Sequence, residues 1–195
     1  MPGLTCSSVV DPLLLTWRAE IRGKMTDLEI LWALDYSHTY TTARVHCFEL
    51  FAFCRLLQPR RTLEIGAGFG ISGVAIGLGS VGAVATVVDI EHIPRSVPQT
   101  LWQKFGIDKE YVKCSAAKFL DGSGDNFDFI FHDAEHGSKV IPEYHAAWRR
   151  TQKMLAIHDV DLIDYRAFVN SLEGVAEYGM TFDSIGRALG YIIKA

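Results

Sequence analysis

Three glycines at alternate positions, Gly66, Gly68 and Gly70, separate two apolar segments of this chain. The segment ending at Ile65 predicts a short buried strand, and Ile71 begins a segment that predicts a helix. A strand, a glycine turn and a helix bring backbone N–H groups close to a nucleotide-like ligand. Glycine suits this turn because it accepts a positive φ and has no Cβ that would block the ligand.

Two known spacing patterns fit the turn. Dinucleotide-binding domains use G-x-G-x-x-G, and Gly68, Gly70 and Gly73 have that spacing. S-adenosylmethionine (SAM)-dependent methyltransferases use an acidic residue, one spacer and then G-x-G-x-G, which Glu64 and the glycines from Gly66 onward match. The second pattern is favoured because it explains a charged residue at the end of a predicted buried strand. A glycine turn without any ligand is the third alternative.

An acidic residue about 20 positions after the turn gives a second contact for such a ligand. Asp89 ends a strand predicted over residues 83–88. At the carboxyl end of a strand, its carboxylate can accept hydrogen bonds from ribose hydroxyls. Glu91 and His92 follow and are expected to line the same crevice.

Two further predicted strands, residues 127–131 and 153–157, are each followed by a His-Asp pair. Asp133 and Asp159 are the acids of these pairs, and His136 follows the first. Ligands of an open parallel sheet lie beyond the carboxyl ends of its strands, so both carboxylates are predicted to converge on one hard divalent cation. The alternative is that each Asp only caps the helix that follows it.

The elements that must position these residues alternate between strand and helix. This pattern predicts an α/β fold, a Rossmann-like doubly wound and mostly parallel seven-stranded sheet with an antiparallel last strand and N-terminal helices. The predicted strands span residues 61–65, 83–88, 111–114, 127–131, 153–157, 180–185 and 189–194. The predicted helices span residues 13–22, 43–57, 71–78, 142–150 and 165–172, with others after Asp27 and between Pro94 and Phe105. We expect a loop over residues 120–126, a bend at Gly186 and a break of the last strand at Gly190.

Length and composition restrict the function classes. The 195 residues predict a single domain, 1–195, in which residues 1–57 form a helical N-terminal layer. A net charge of -4 argues against a general nucleic-acid binder. No run has the length of a transmembrane helix, and the start lacks the pattern of a signal peptide, so we expect a cytoplasmic protein without a membrane partner. The four cysteines, Cys6, Cys47, Cys54 and Cys114, are expected to be reduced thiols.

Taken together, these motifs resemble class I SAM-dependent O-methyltransferases. The residues that carry the resemblance are the turn at 64–70, Asp89, the segment 127–136 and the segment 157–160. Within that class the chain is most similar to the small metal-dependent branch of catechol and caffeoyl-CoA methyltransferases. The segment Asp133-Ala134-Glu135-His136 also resembles a related cephalosporin-hydroxylase-like group. The similarity covers about residues 40–194.

The resemblance implies a SAM cofactor, a divalent cation such as Mg²⁺ and a small hydroxylated substrate. It implies metal ligation by Asp133 and Asp159, and it places His136 where the catechol enzymes carry a catalytic Lys. We therefore expect His136 as the catalytic base, while the roles of metal ligand and structural residue stay open. Self-association into a homodimer is also left open. The implied cofactor-binding residues are Glu64, Gly66, Ala67, Gly68, Asp89, Ile90, Ser115, Ala116 and Asp133.

The chain departs from the family pattern at three places. Ser115 stands where the family has an acidic residue near the adenine, and residues 151–153 replace a Pro-Gly-Gly segment. Val160 follows Asp159 where the family has Asn, so Asp161 or a water would have to replace that ligand. Two rival functions remain, an NAD(P)-dependent oxidoreductase and a non-catalytic cofactor-binding domain. No Tyr-x-x-x-Lys pattern supports the first of these rivals.

Overall fold

The computed structural model describes residues 44–195 of the chain. The predicted helices over 13–22 and after Asp27, and with them most of the N-terminal layer, lie outside the described residues. Within that part of the chain, no helix is long and apolar enough to cross a membrane.

Strands and helices alternate along the described residues. The strands are β1 (Arg61–Ile65), β2 (Val84–Asp89), β3 (Glu110–Lys113), β4 (Phe127–His132), β5 (Thr151–His158), β6 (Val175–Phe182) and β7 (Ala188–Lys194). The α-helices are α1 (Arg44–Leu57), α2 (Ile71–Gly79), α3 (Ser96–Lys104), α4 (Ala116–Gly122), α5 (Ile141–Arg150) and α6 (Tyr165–Asn170). Short 3₁₀ turns lie at Ser138–Val140 and Val160–Leu162.

All seven strands form one sheet in the order β3-β2-β1-β4-β5-β7-β6. β1 to β5 pair in parallel, whereas β7 pairs antiparallel with both β5 and β6. β7 therefore runs against the other six strands. This confirms the predicted doubly wound sheet with an antiparallel last strand. The order differs from the 3-2-1-4-5-6 sheet of dinucleotide-binding domains.

Apolar residues on both faces of the central strands explain why helices cover the sheet on two sides. In β4, Phe129 and Phe131 belong to a core that includes residues of α1, α2 and α3, whereas Phe127 and Ile130 belong to a core with residues of α4, α5 and α6. This layering leaves the carboxyl edge of the parallel strands for the site residues.

Three predicted features differ from the structure. The loop expected over 120–126 begins inside α4, which the Ser115 hydroxyl caps by accepting a hydrogen bond from the Lys118 N–H (3.3 Å). β6 begins at Val175, earlier than predicted, because it pairs with the whole of β7. Gly190 does not break β7; the ring of Tyr165 packs so closely on it that a Cβ would lie 2.7 Å from that ring.

Candidate active site

The glycine turn holds the end of β1 against its two neighbouring strands. Gly66, Gly68 and Gly70 all have positive φ, at 92°, 48° and 87°. A Cβ on Gly66 would collide with the backbone of Asp133. The Asp133 N–H in turn donates to the Ile65 carbonyl (2.8 Å). Gly66 is therefore needed for the close approach of β1 and β4, whatever ligand binds there.

Gly68 differs from Gly66 because open space lies above it. Among the described residues, no atom lies within 4 Å of the place where its Cβ would be, apart from its chain neighbours. A ligand can therefore approach the backbone of the turn at Gly68 without meeting a side chain.

Asp89, the last residue of β2, stabilises the glycine turn through hydrogen bonds. Its Oδ2 accepts a hydrogen bond from the Ala67 N–H (2.7 Å), and its Oδ1 accepts from the N–H groups of Glu91 and His92. Glu91 is held in the left-handed region, with φ of 66°, and forms an ion pair with Lys113. The Asp89 carboxylate, which is predicted to bind the ribose, is therefore already held in place by the backbone around it. This reduces the side-chain entropy that would be lost on binding.

Three further residues that the sequence predicts to bind the cofactor lie near Asp89. Ile90 follows it and is 62% exposed, which leaves an apolar side chain at the crevice edge. The Cys114 N–H donates to the Asp89 carbonyl (3.1 Å), so β3 delivers Ser115 and Ala116 to the same edge. The structure brings these predicted residues together, and their contacts with a cofactor stay a prediction.

Glu64 lies below the turn in a buried ion pair. Its carboxylate accepts hydrogen bonds from the Ser72 hydroxyl (2.6 Å) and from Lys109 (2.9 Å), and the Glu64 and Lys109 side chains are each 1% exposed. Lys109 also lies over the ring of Trp102, whose indole N–H donates to the Gly70 carbonyl (2.9 Å). Both carboxylate oxygens therefore support the turn. A contact of Glu64 with the methionine part of a cofactor stays a prediction.

The two predicted metal ligands and the predicted base lie together beyond β4 and β5. One ligand atom each from Asp133, His136 and Asp159 can be chosen so that all three lie within 4.8 Å of one another. The Nδ1 atom of His136 is 3.4 Å from Asp159 Oδ2. Asp159 has φ of 54°, a left-handed conformation that turns its side chain toward the cluster. This arrangement can bind a cation or orient the imidazole of His136.

His158, the last residue of β5, lies on the closed side of this cluster and is 3% exposed. Its Nδ1 is 3.2 Å from Asp133 Oδ1 and 3.1 Å from Asp159 Oδ1. Burial disfavours the charged imidazole, but the two carboxylates outweigh it and raise the pKa of His158 to about 10. Burial raises the pKa of Asp159, but the neighbouring His158 outweighs that effect, so the pKa of Asp159 is lowered.

His46 on α1 is a member of the site that the sequence analysis did not identify. Its Nδ1 lies 3.0 Å from His158 Nε2. Burial, and then the neighbouring His158, lower the pKa of His46 to about 4, which favours its neutral form near pH 7. A lone His within an otherwise strongly apolar helix was the available signal, because buried polar side chains need a partner.

Asp161, one of the two replacements considered for the missing Asn ligand, has another contact. Its Oδ1 accepts a hydrogen bond from the Ala188 N–H (2.8 Å) at the start of β7. Cys47 and Cys54 are buried on α1, and burial raises the pKa of both thiols, as expected for reduced core cysteines. Cys114 is half-buried and forms no disulfide.

Solved structures share this arrangement of strands and helices. An O-methyltransferase from Bacillus cereus in complex with SAH has a TM-score of 0.66 at 16% identity, over 88% of this chain and 91% of that one. A Streptomyces achromogenes O-methyltransferase of tomaymycin synthesis in complex with SAM has a TM-score of 0.67 at 18% identity, over 89% of this chain and 88% of that one. A Staphylococcus aureus protein provisionally assigned as a caffeoyl-CoA O-methyltransferase has a TM-score of 0.71 at 14% identity, over 93% of this chain and 99% of that one.

The chain has the fold of these O-methyltransferases. No family model matches its sequence, and no curated protein matches it. At identities of 14–18% the fold is what these structures share with the chain. The O-methyltransferase fold expected from the glycine turn and the strand ends is therefore confirmed.

Proposed function

We propose that this chain is a SAM-dependent methyltransferase that methylates a hydroxyl group of a small molecule. The proposal rests on two groups of residues that lie at the same edge of the sheet. The open glycine turn and Asp89 lie at the same carboxyl ends as the cluster of Asp133, His136 and Asp159. In the fold that this chain shares, the Bacillus and Streptomyces proteins bind SAH and SAM.

The residues assigned to the cofactor follow from their places along this edge. Gly66, Ala67 and Gly68 would receive the methionine part, and Asp89 would accept hydrogen bonds from the ribose. Ile90 would cover one face of the adenine. Ser115, Ala116 and Asp133 would complete the binding site, and Glu64 would support the turn from below.

Methyl transfer breaks the bond between the methyl carbon and the sulfonium sulfur and forms a bond between that carbon and the acceptor oxygen. The enzyme's main task is to align the two reactants, and its second task is to remove the hydroxyl proton. His136 is placed for the second task. Asp159 lies at its Nδ1, so the Nε2 atom is left to take the proton, and the carboxylate stabilises the imidazolium that results.

A divalent cation is part of this proposal, with Asp133 and Asp159 as its ligands. The carboxylates fit such an ion because one oxygen of each lies within 4.8 Å of an oxygen of the other, and carboxylate oxygens are ligands of hard divalent cations. When bound there, the ion would lower the pKa of the acceptor hydroxyl and hold its oxygen in place. That this ion is Mg²⁺ stays a prediction from the sequence.

The spacing of Gly68, Gly70 and Gly73 fits the oxidoreductase alternative, but the strand order and the antiparallel β7 distinguish this sheet from that of nicotinamide-binding domains. A cytoplasmic location, the absence of a nucleic-acid partner and a homodimeric assembly stay predictions from the sequence.

The proposal is tested by calorimetric titration of the full-length protein with SAM, SAH and NADH, followed by transfer of a labelled methyl group to a panel of catechols and phenols. We expect binding of SAM and SAH but not of NADH, and methylation of at least one hydroxylated acceptor. His136→Ala should reduce turnover and leave SAM affinity unchanged, since His136 faces the acceptor. Binding of NADH in place of SAM would refute the proposal.

A further inference from the structure

The Nδ1 atom of His158 faces two carboxylates but forms no well-aligned hydrogen bond. Although Nδ1 lies close to Asp133 Oδ1 and Asp159 Oδ1, it makes no aligned hydrogen bond with either. In the described part of the chain, both His158 Nδ1 and Asp159 Oδ1 are buried polar atoms left unsatisfied. Each unsatisfied buried polar atom needs an explanation, and here two of them lie 3.1 Å apart beside a further carboxylate.

The other nitrogen of the ring already has a partner, since His158 Nε2 lies 3.0 Å from His46 Nδ1. Nδ1 is therefore the atom that faces the two carboxylates, and when it carries no proton its lone pair points at two negatively charged oxygens. Three electron-rich atoms this close together repel one another unless a positive charge lies among them. A histidine whose far nitrogen is fixed by a hydrogen bond is also the usual arrangement of a metal ligand.

We propose that His158 Nδ1 is a third metal ligand beside Asp133 and Asp159, and that this site selects a transition-metal ion such as Zn²⁺ over Mg²⁺. The proposal deepens the proposed function and rests on it for the role of this edge. Mg²⁺ prefers oxygen ligands and retains several waters, whereas imidazole suits Zn²⁺ and iron. Two carboxylates and one imidazole leave further coordination positions open for an acceptor oxygen.

Asp161, which the sequence analysis considered as a replacement ligand, is directed away from this cluster. Asp161 is engaged with the Ala188 N–H, and the left-handed turn at Asp159 keeps its carboxylate beside the end of β5. His136 lies on the opposite, open side, with a side chain 37% exposed and Nδ1 directed at the second oxygen of Asp159. That position leaves His136 available for the acceptor proton.

The decisive measurement is calorimetric titration of the chelator-treated full-length protein with ZnCl₂ and with MgCl₂, in the absence of SAM. His158→Asn replaces a nitrogen donor with an amide oxygen. It should lower Zn²⁺ affinity at least about tenfold and change Mg²⁺ affinity by less than about threefold. Because misfolding would weaken the binding of both ions, the ratio of the two affinities reports the ligand itself. His132→Asn is the matched control, since His132 is equally buried but contacts Glu143 and Tyr144.

X-ray absorption by the Zn²⁺-loaded protein gives a second readout that does not depend on activity. We expect the scattering typical of an imidazole ligand in the wild type and in His136→Ala, and its loss in His158→Asn. Loss of that scattering in His136→Ala would make His136 the ligand and overturn the proposal. An unchanged ratio of Zn²⁺ to Mg²⁺ affinity in His158→Asn would overturn it as well.

The outcomes separate this inference from the proposed function. If SAM binds but no cation does, a proton rather than a metal ion lies among His158, Asp133 and Asp159; the metal site is then wrong and the methyltransferase proposal stands. If SAM does not bind while Zn²⁺ selectivity depends on His158, the metal site stands and the methyltransferase proposal fails.

Discussion

At the scale of single residues, Gly68 tests where the cofactor binds. A side chain at Gly68 enters the open space above the turn, so Gly68→Val should lower SAM affinity at least about tenfold by occupying the ligand's place. Gly106→Val is the matched control because Gly106 also has a positive φ, 65°, and open space around it, but lies between α3 and β3 at the opposite edge. Calorimetry should find wild-type affinity in the control. Equal affinity of wild type and Gly68→Val would exclude the turn as the site.

Ile90 tests the adenine contact separately from the stability of the fold. The side chain is largely exposed, so Ile90→Ala should leave the unfolding free energy nearly unchanged. Loss of its apolar contact should weaken SAM binding by about 1 kcal/mol. Val84→Ala is the control because Val84 is similarly exposed, at 61%, but begins β2, whereas Ile90 follows the other end of that strand. Equal loss of affinity in both variants would contradict the assignment.

At the scale of elements, the Glu64–Lys109 ion pair joins β1, α2 and the start of β3 beneath the glycine turn. Lys109→Met would leave the Glu64 carboxylate buried without its charge partner, which should cost about 3–5 kcal/mol of unfolding free energy. Urea denaturation measures this loss. Lys139→Met, which removes the exposed ion pair with Glu135, should change stability little. A small effect of Lys109→Met would show that the pair does not support the turn.

Elements with an uninterrupted apolar pattern could be predicted from the sequence. β1 has the bounds that the sequence predicts, because its apolar run ends at the first glycine of the turn. The helix over 116–122 was missed because the predicted loop rested on the Gly and Asp residues that follow Leu120, while the capping signal lay in Ser115. The continuation of β7 through Gly190 depends on the ring of Tyr165, a distant residue that local sequence patterns do not reveal.

The candidate site was predictable to a similar degree. Asp133 and Asp159 could be placed together because parallel strands deliver their carboxyl ends to one edge. The direction of the His158 ring and its contact with His46 could not be predicted, since the two residues are 112 positions apart and belong to different layers. Periodicity identifies buried faces, but it does not identify which buried polar atoms meet.

At the scale of the whole molecule, the two histidines predict how stability depends on pH in the metal-free protein. His158 has a raised pKa because of Asp133 and Asp159, and its neighbour His46, which also faces Asp183 and Arg187, has a lowered one. The native protein therefore binds more protons than the unfolded chain between about pH 6.5 and pH 10, and fewer between about pH 4 and pH 6.5.

The sign of each contribution follows from this difference in proton binding. The stabilisation from His158 is fully present below about pH 6.5 and is lost as pH rises toward 10, while stability falls again below about pH 6.5 because His46 resists protonation in the native state. Thermal unfolding in the presence of a chelator should show a maximum near pH 6.5. In His158→Asn the decline between pH 6.5 and pH 10 should be smaller, since no imidazole remains there to lose its proton. A wild-type curve that stays level across that alkaline range would contradict a protonated His158 between the two carboxylates.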